Sequence, residues 1–188
     1  MGWLVGGIIL IAIALVLLAV LITYVTISNS LKKCTVKIDE ALSGIDVMLV
    51  QRYDLLTKSI EVLKGAKNYE KSTIEDIVKL RKLDTNSTLK EREEYDKEIS
   101  SGFSKINVSL EAYPNLKAGS SYLLLQKQIS ECEDNLQASR RTYNSNVSYY
   151  NQKLVSWPSS IIGRSLKLES KSFFEADENK KGDVAINL

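Results

Sequence analysis

Trp3-Leu4-Val5-Gly6-Gly7-Ile8-Ile9-Leu10 opens an apolar run that continues to Val20-Leu21-Ile22-Thr23-Tyr24-Val25-Thr26-Ile27, and the first charged side chain of the chain is Lys32. A helix rises about 1.5 Å per residue and a bilayer core is ~30 Å thick, so residues 3–27 are long enough to cross it. We read this run as a retained membrane span. A cleaved signal peptide would carry a basic n-region, an apolar core of ~7–15 residues and a small-residue cleavage site. None of the three is seen here, since Ser28-Asn29-Ser30 is followed by Leu31 and lysines. An N-myristoylation pattern would want Ser or Thr where Gly6 stands. Cys34 follows Lys32-Lys33 rather than the small residues of a lipoprotein site. Gly2, Gly6 and Gly7 are read as ordinary glycines of a span rather than as a helix-pairing face.

Lys32, Lys33 and Lys37 follow the span, and only the chain terminus precedes it. The positive-inside tendency then predicts a single-pass cell-membrane protein with its N-terminus outside and its remaining residues in the cytoplasm.

Outward from the span, apolar residues recur at Leu31, Ile38, Leu42, Ile45, Leu49, Tyr53, Leu56, Ile60 and Leu63, mostly in steps of three and four. That period marks one buried stripe of a long helix, of the kind found in coiled coils, so other helices must cover it. The helix leaving the membrane is expected to run on into this stripe and to stop near Gly65. Ser72-Thr73-Ile74-Glu75 has capping-box spacing and would start a short second helix. Asp84-Thr85-Asn86-Ser87 reads as a turn, and Thr88-Leu89-Lys90-Glu91 as a second capping box. The third helix carries Leu89, Tyr95, Ile99, Phe103, Ile106, Leu110 and Tyr113, and ends where Pro114 denies the ladder a donor. The fourth carries Tyr122, Leu125, Ile129, Cys132, Leu136, Tyr143, Val147, Tyr150, Leu154 and Trp157, and Pro158 closes it. Residues 159–168 could form a short amphipathic helix on the bundle or at the bilayer surface, and the polar tail beyond has the composition of a disordered segment.

The expected architecture is therefore all-α: an N-terminal transmembrane helix followed by an antiparallel up-and-down bundle of about four helices. The anchor would occupy 1–30, the bundle 31–158, and the amphipathic segment and flexible tail 159–188.

The chemistry available is narrow. Histidine is absent, which removes the commonest general base, the commonest metal ligand and every Ser-His or Cys-His nucleophile. Cys34 and Cys132 form no CxxC, and both fall on or beside apolar seams. Their positions far apart along two helices predict no disulfide. Glu131, Glu133, Asp134, Asp46 and Asp54 could suggest a di-iron bundle, but that ligand set includes a Glu-x-x-His on two helices. Tyr143, Tyr150 and Trp157 recur every seven residues and are expected to pack on the buried stripe rather than line a cofactor pocket. With 25 basic and 23 acidic residues, a net charge of +2 offers no field for nucleic acid. The sequons at Asn86, Asn107 and Asn146 carry no glycosylation meaning in a cytoplasmic domain. No cofactor is expected.

Ile45-Asp46-Val47, Arg52-Tyr53-Asp54-Leu55, Val62-Leu63-Lys64-Gly65, Ala112-Tyr113-Pro114-Asn115-Leu116-Lys117-Ala118 and Arg140-Arg141-Thr142-Tyr143-Asn144 resemble the LemA family. Tyr150-Asn151, Trp157-Pro158-Ser159 and Phe174-Glu175-Ala176 fit the same pattern. The chain departs from it at Thr57-Lys58, where members tend to have Pro-Asn, and at Gly163-Arg164-Ser165-Leu166, where they have an apolar Gly-Leu-Phe-Gly-like ending. The resemblance implies a bacterial membrane protein with one N-terminal span, an antiparallel helical bundle, and no established enzymatic activity or cofactor.

Asp46, Arg52, Tyr53, Asp54, Tyr113, Pro114, Asn115, Arg140, Arg141, Tyr143 and Asn144 are the candidate structural or partner-contact residues. The function expected is that of an anchored scaffold or adaptor, not an enzyme, which presents its bundle to a protein partner. The alternative is a membrane-associated enzyme or enzyme subunit using carboxylate or tyrosine chemistry, which a water-shielded cleft with converging Asp54 and Arg52 would favour. Charge pairing across antiparallel first and last helices predicts that Arg140 or Arg141 meets Asp46 or Asp54.

Overall fold

The computed structural model describes residues 2–64, 84 and 87–175, and every regular element among them is helical. Helix α1 spans Gly2–Lys64, α2 Leu89–Glu111, α3 Pro114–Lys117, α4 Ser120–Val155 and α5 Ser159–Ser165. The unbroken α1, about 95 Å long at ~1.5 Å per residue, shows that the apolar run and the first bundle stripe belong to one helix.

Local chemistry sets the ends of these helices. Thr88 accepts a hydrogen bond from the Glu91 backbone N–H at 3.2 Å, and the Glu91 carboxylate accepts one from the Thr88 backbone N–H at 2.6 Å. The expected capping box therefore starts α2. Pro114 sits at the first position of α3, where the missing donor costs nothing. The expected turn is represented by Asp84 and Ser87, whose backbones bond at 3.0 Å. The capping box at Ser72 and the short second helix lie outside the described residues, as do Gly65 and the tail from Ala176.

The chain forms two compact units, Met1–Glu40 with Asn144–Phe173 and Ala41–Tyr143 with Phe174–Leu188. In the first, the most apolar stretch of α1 contributes nothing to the interior. Trp3, Ile8, Leu15, Leu18 and Ile22 are all exposed. The interior of this unit begins at Ser28 and Leu31 and continues through Cys34 and Ile38, with Val147, Tyr150 and Ile162 buried alongside. Helices α1 and α4 run antiparallel here. The Asn146 amide donates to the Lys37 carbonyl at 3.0 Å, and one heptad further on the Lys153 ammonium donates to the Ser30 hydroxyl at 2.6 Å.

Two expectations are corrected in this unit. Tyr150 is buried, but Trp157, on the same heptad position, is 81% exposed. The reason is that α4 ends at Val155, so Trp157 lies in the turn beyond it, where the helical period no longer sets its direction. Residues 169–171, part of the stretch whose composition is that of a disordered segment, are held by hydrogen bonds. Asn151 donates to the Lys171 carbonyl and accepts from the Lys171 N–H, both at 2.9 Å, while the Tyr150 hydroxyl donates to the Glu169 carbonyl at 3.1 Å. The Tyr150-Asn151 pair thus holds the returning chain by its backbone.

The second unit contains the rest of the core: Ile45, Leu49, Leu56 and Leu63 of α1, Ile99, Ile106 and Leu110 of α2, and Leu125, Cys132 and Leu136 of α4. Contacts that ascend both chains together, Asp46 with Arg92 and Arg52 with Asp96 and Ser100, make α1 and α2 parallel. Helix α4 is antiparallel to both: Cys132 approaches the Met48 carbonyl at 3.8 Å and Tyr122 reaches Asn107 at 3.4 Å. The antiparallel relation expected of the first and last helices is present. Cys34 and Cys132 are free, buried thiols, and desolvation pushes the Cys132 thiol up from its ordinary value.

Candidate functional site: a buried arginine network

Three arginines enter the second unit, two of them at positions where the helical stripes would put apolar residues. Arg52 continues the heptad series of Leu31, Ile38 and Ile45, and Arg92 precedes Ile99 and Ile106 by the same step. A charge in such a place must be paired, because burying an unpaired ion costs several kcal/mol.

The pairing is nearly complete. Arg52 binds the Asp96 carboxylate with one terminal nitrogen. With the other it reaches Glu133 at 2.5 Å and the Ser100 hydroxyl at 3.1 Å. Arg140 binds the second oxygen of Asp96, so this carboxylate joins two guanidinium groups. Arg92 grips Asp46 with two hydrogen bonds, Nε to Oδ1 at 2.6 Å and Nη2 to Oδ2 at 2.8 Å, and also donates to the Ser87 carbonyl. The bond to Asp46 raises the Arg92 pKa above its ordinary value, against the opposing effect of burial. Three arginines thus stand among Asp46, Asp96 and Glu133.

Aromatic rings complete the enclosure. The Arg52 guanidinium carbon lies 5.9 Å from the Phe103 ring centroid, and that of Arg140 lies 5.0 Å from Phe174. Such contacts favour a cation over a ring face. The Nε atoms of Arg52 and Arg140 have no acceptor among the described residues. The Glu175 backbone N–H donates to Glu93 at 2.8 Å, which fixes the chain beside Phe174.

The sequence candidates fall into three groups. Asp46, Arg52 and Arg140 are in the network, and the partly buried Tyr53 sets its ring 6.4 Å from that of Tyr95. Tyr143 is buried in the same unit, while Tyr113 and Asn144 are half-buried. Asp54, Pro114, Asn115 and Arg141 are exposed.

The expected pairing of Arg140 or Arg141 with Asp46 or Asp54 is corrected: Arg140 takes Asp96, and Asp46 takes Arg92. Helix α2 runs beside both α1 and α4 and supplies the nearer countercharges. Sequence reasoning does not place Arg92, Asp96, Ser100, Glu133 or Phe103 at this site, and it reaches Phe174 only as part of a motif. The missed signal is a polar residue on an apolar stripe, visible at Arg92 as the heptad predecessor of Ile99.

The remaining features are modest. Arg52 is committed to Asp96 and Glu133 while Asp54 is exposed, so these two side chains do not converge in a shielded cleft. A shallow groove of about 370 Å³ lies between α1 and α4, lined by Lys58, Glu61, Val62, Ser121, Leu124, Leu125 and Gln128. Among the described residues no three His, Cys, Asp or Glu side chains gather as a metal-holding group.

These features define a class: all-helical proteins with a long apolar N-terminal helix and a bundle, in which this chain spends Arg52, Arg92 and Arg140 on internal packing. The chain belongs to the LemA family, which it matches over residues 41–188. It is 31% identical to Protein LemA of Metamycoplasma hominis over 165 residues, covering 86% of this chain and 74% of that protein.

Proposed function

We propose that this LemA-type protein is a single-pass membrane scaffold, with residues 3–27 in the bilayer and its bundle offered to a protein partner on the cytoplasmic side. One observation carries the reading: a single helix, α1, begins as an apolar rod with no buried face and ends as a stripe of the bundle core. In water the rod would expose a continuous apolar surface far larger than soluble monomers tolerate, and a bilayer removes that cost. The exposed Lys32 and Lys33, with Lys37 one turn on, favour the cytoplasmic side for the bundle. The internal use of Arg52, Arg92 and Arg140 supports a structural role for the charged motifs. Asp54, Pro114, Asn115 and Arg141 are then the exposed motif residues left for a partner.

Alkaline carbonate extraction of membranes tests the anchor. The full chain is expected to stay in the pellet and a chain lacking residues 1–27 in the supernatant; release of the full chain would overturn the reading. Crosslinking from introduced photoreactive residues at Asn115 and Arg141 tests the scaffold role, with a discrete protein adduct expected and an unmodified monomer counting against it.

A further inference from the structure

Val155, Trp157 and Ile161 are 79%, 81% and 60% exposed, an apolar cluster at the end of α4 that the bundle does not use. Its height along the molecule is set by two hydrogen bonds within one compact unit. Asn146 meets Lys37, and one heptad further Lys153 meets Ser30, so α4 advances toward the N-terminus of α1 residue for residue. One more turn in this register carries the chain from Lys153 to Trp157 and its partner level from Ser30 to Thr26. Thr26 belongs to the apolar run, and its neighbours Val25 and Tyr24 are themselves exposed. Past Val155 the helical ladder ends, but the Ser156 N–H still donates to the Gln152 carbonyl at 3.1 Å and the Ser160 N–H to the Ser156 carbonyl at 2.8 Å, which holds the turn at the end of α4 near this level.

We propose that the turn from Val155 to Ile161 is a second membrane contact, with the Trp157 ring in the headgroup region of the bilayer that α1 crosses. This deepens the proposed function and rests on its anchor. Whatever medium surrounds α1 at Thr26 also surrounds Trp157. An indole, with an apolar body and one N–H donor, is suited to that boundary, and Tyr24 on α1 stands near the same level. Helix α5 holds the cluster in place: it packs back on α4 so closely that a Cβ on Gly163 would come within 2.8 Å of Leu154 Cδ2. Ile162 is buried, while Ile161, Arg164 and Lys167 are exposed, and the two cations have the charge that anionic headgroups attract.

The chain has two tryptophans, which makes the test direct. The full-length protein is reconstituted into phosphatidylcholine and phosphatidylglycerol vesicles, some containing a headgroup-level nitroxide lipid and some a brominated acyl chain. Trp3→Phe leaves Trp157 as the only indole, and Trp157→Phe leaves Trp3 to report on the anchor. The proposal expects Trp157 to lose at least half its emission to the headgroup quencher and less to a deep acyl quencher. Trp157 unquenched while Trp3 is quenched overturns the second contact and leaves the anchor standing. Trp157 unquenched but blue-shifted, with dimers by crosslinking, overturns it in favour of a second copy on this face. If both indoles escape quenching, the anchor fails as well.

Discussion

Removing the Arg52 guanidinium would leave Glu133 without its cation and Asp96 with Arg140 alone, in a place where the Arg52 and Asp96 side chains are only 5% and 12% exposed. Breaking such a buried pair from one side costs about 3–5 kcal/mol, because the remaining charge stays desolvated. Arg52→Met is therefore expected to lower the unfolding free energy by about that amount in urea titrations, while Asp54→Ala on the exposed face of the same turn changes it by less than about 0.5 kcal/mol. Equal effects would show that the network is not what holds this part of the bundle.

Tyr95 yields a second prediction at the same scale. Burial, reinforced by Tyr53 and the carboxylates of Asp54 and Glu98, pushes its pKa up to about 12. An unfolded tyrosine ionises near 10, so between about pH 10 and pH 12 the folded state holds a proton that the unfolded state has lost. Its contribution is intact below pH 10 and is lost as pH rises through 12, by at most about 3 kcal/mol in all. Tyr95→Phe should flatten the alkaline fall in stability relative to the parent, and parallel curves would count against the assignment.

The three long helices are held in axial register by these same pairs. Sliding α2 by one heptad along α1 would bring Ile99 to the level of Asp46 in place of Arg92, leaving the carboxylate unpaired. Two glycines on the same helices show which effect decides at a given position. A Cβ on Gly44 of α1 would meet nothing within 4 Å, so only the helix propensity of the added methyl counts. Gly44→Ala is expected to stabilise by about 0.5–1 kcal/mol. On Gly102 of α2 a Cβ would come within 2.9 Å of Leu56 Cδ2, so the fully buried Leu56 side chain would have to shift within the core. Overpacking costs about 1–3 kcal/mol and exceeds the propensity gain, so Gly102→Ala should destabilise. Thermal melts of the two variants should move in opposite directions.

For the whole molecule, the proposed anchor makes the side of the membrane on which the bundle lies the quantity to measure. The proposed orientation expects protease added to intact cells to leave the bundle uncut, and the same protease to cleave it after the membrane is opened. Digestion in intact cells would reverse the topology while leaving the anchor in place. The exposed apolar rod of α1 also makes the intact chain's behaviour depend on its solvent: without lipid or detergent, association through residues 3–27 is expected on sizing columns, and the chain lacking them should run free of it.

The sequence by itself determined the three long helices, the continuity of the apolar run with the first bundle stripe, the capping box at Thr88 and the antiparallel relation of first and last long helices. These arise from composition, period and backbone chemistry within a few turns of chain, and the combined motifs also made the family legible. The tertiary structure alone decided which arginine meets which carboxylate. The sequence offers Asp46 and Asp54 on the first helix and Asp96 on the next as countercharges, and the choice among them depends on how far each helix is displaced along its axis. The tertiary structure also decided that Phe174 returns to cover Arg140, a contact across a long interval of chain that no local pattern encodes. Trp157 marks the limit of periodicity: its spacing from Tyr150 assigns it to the core, but the helix ends before reaching it and the turn directs it outward. A period describes a residue's direction only while the hydrogen-bonded ladder that creates the period continues.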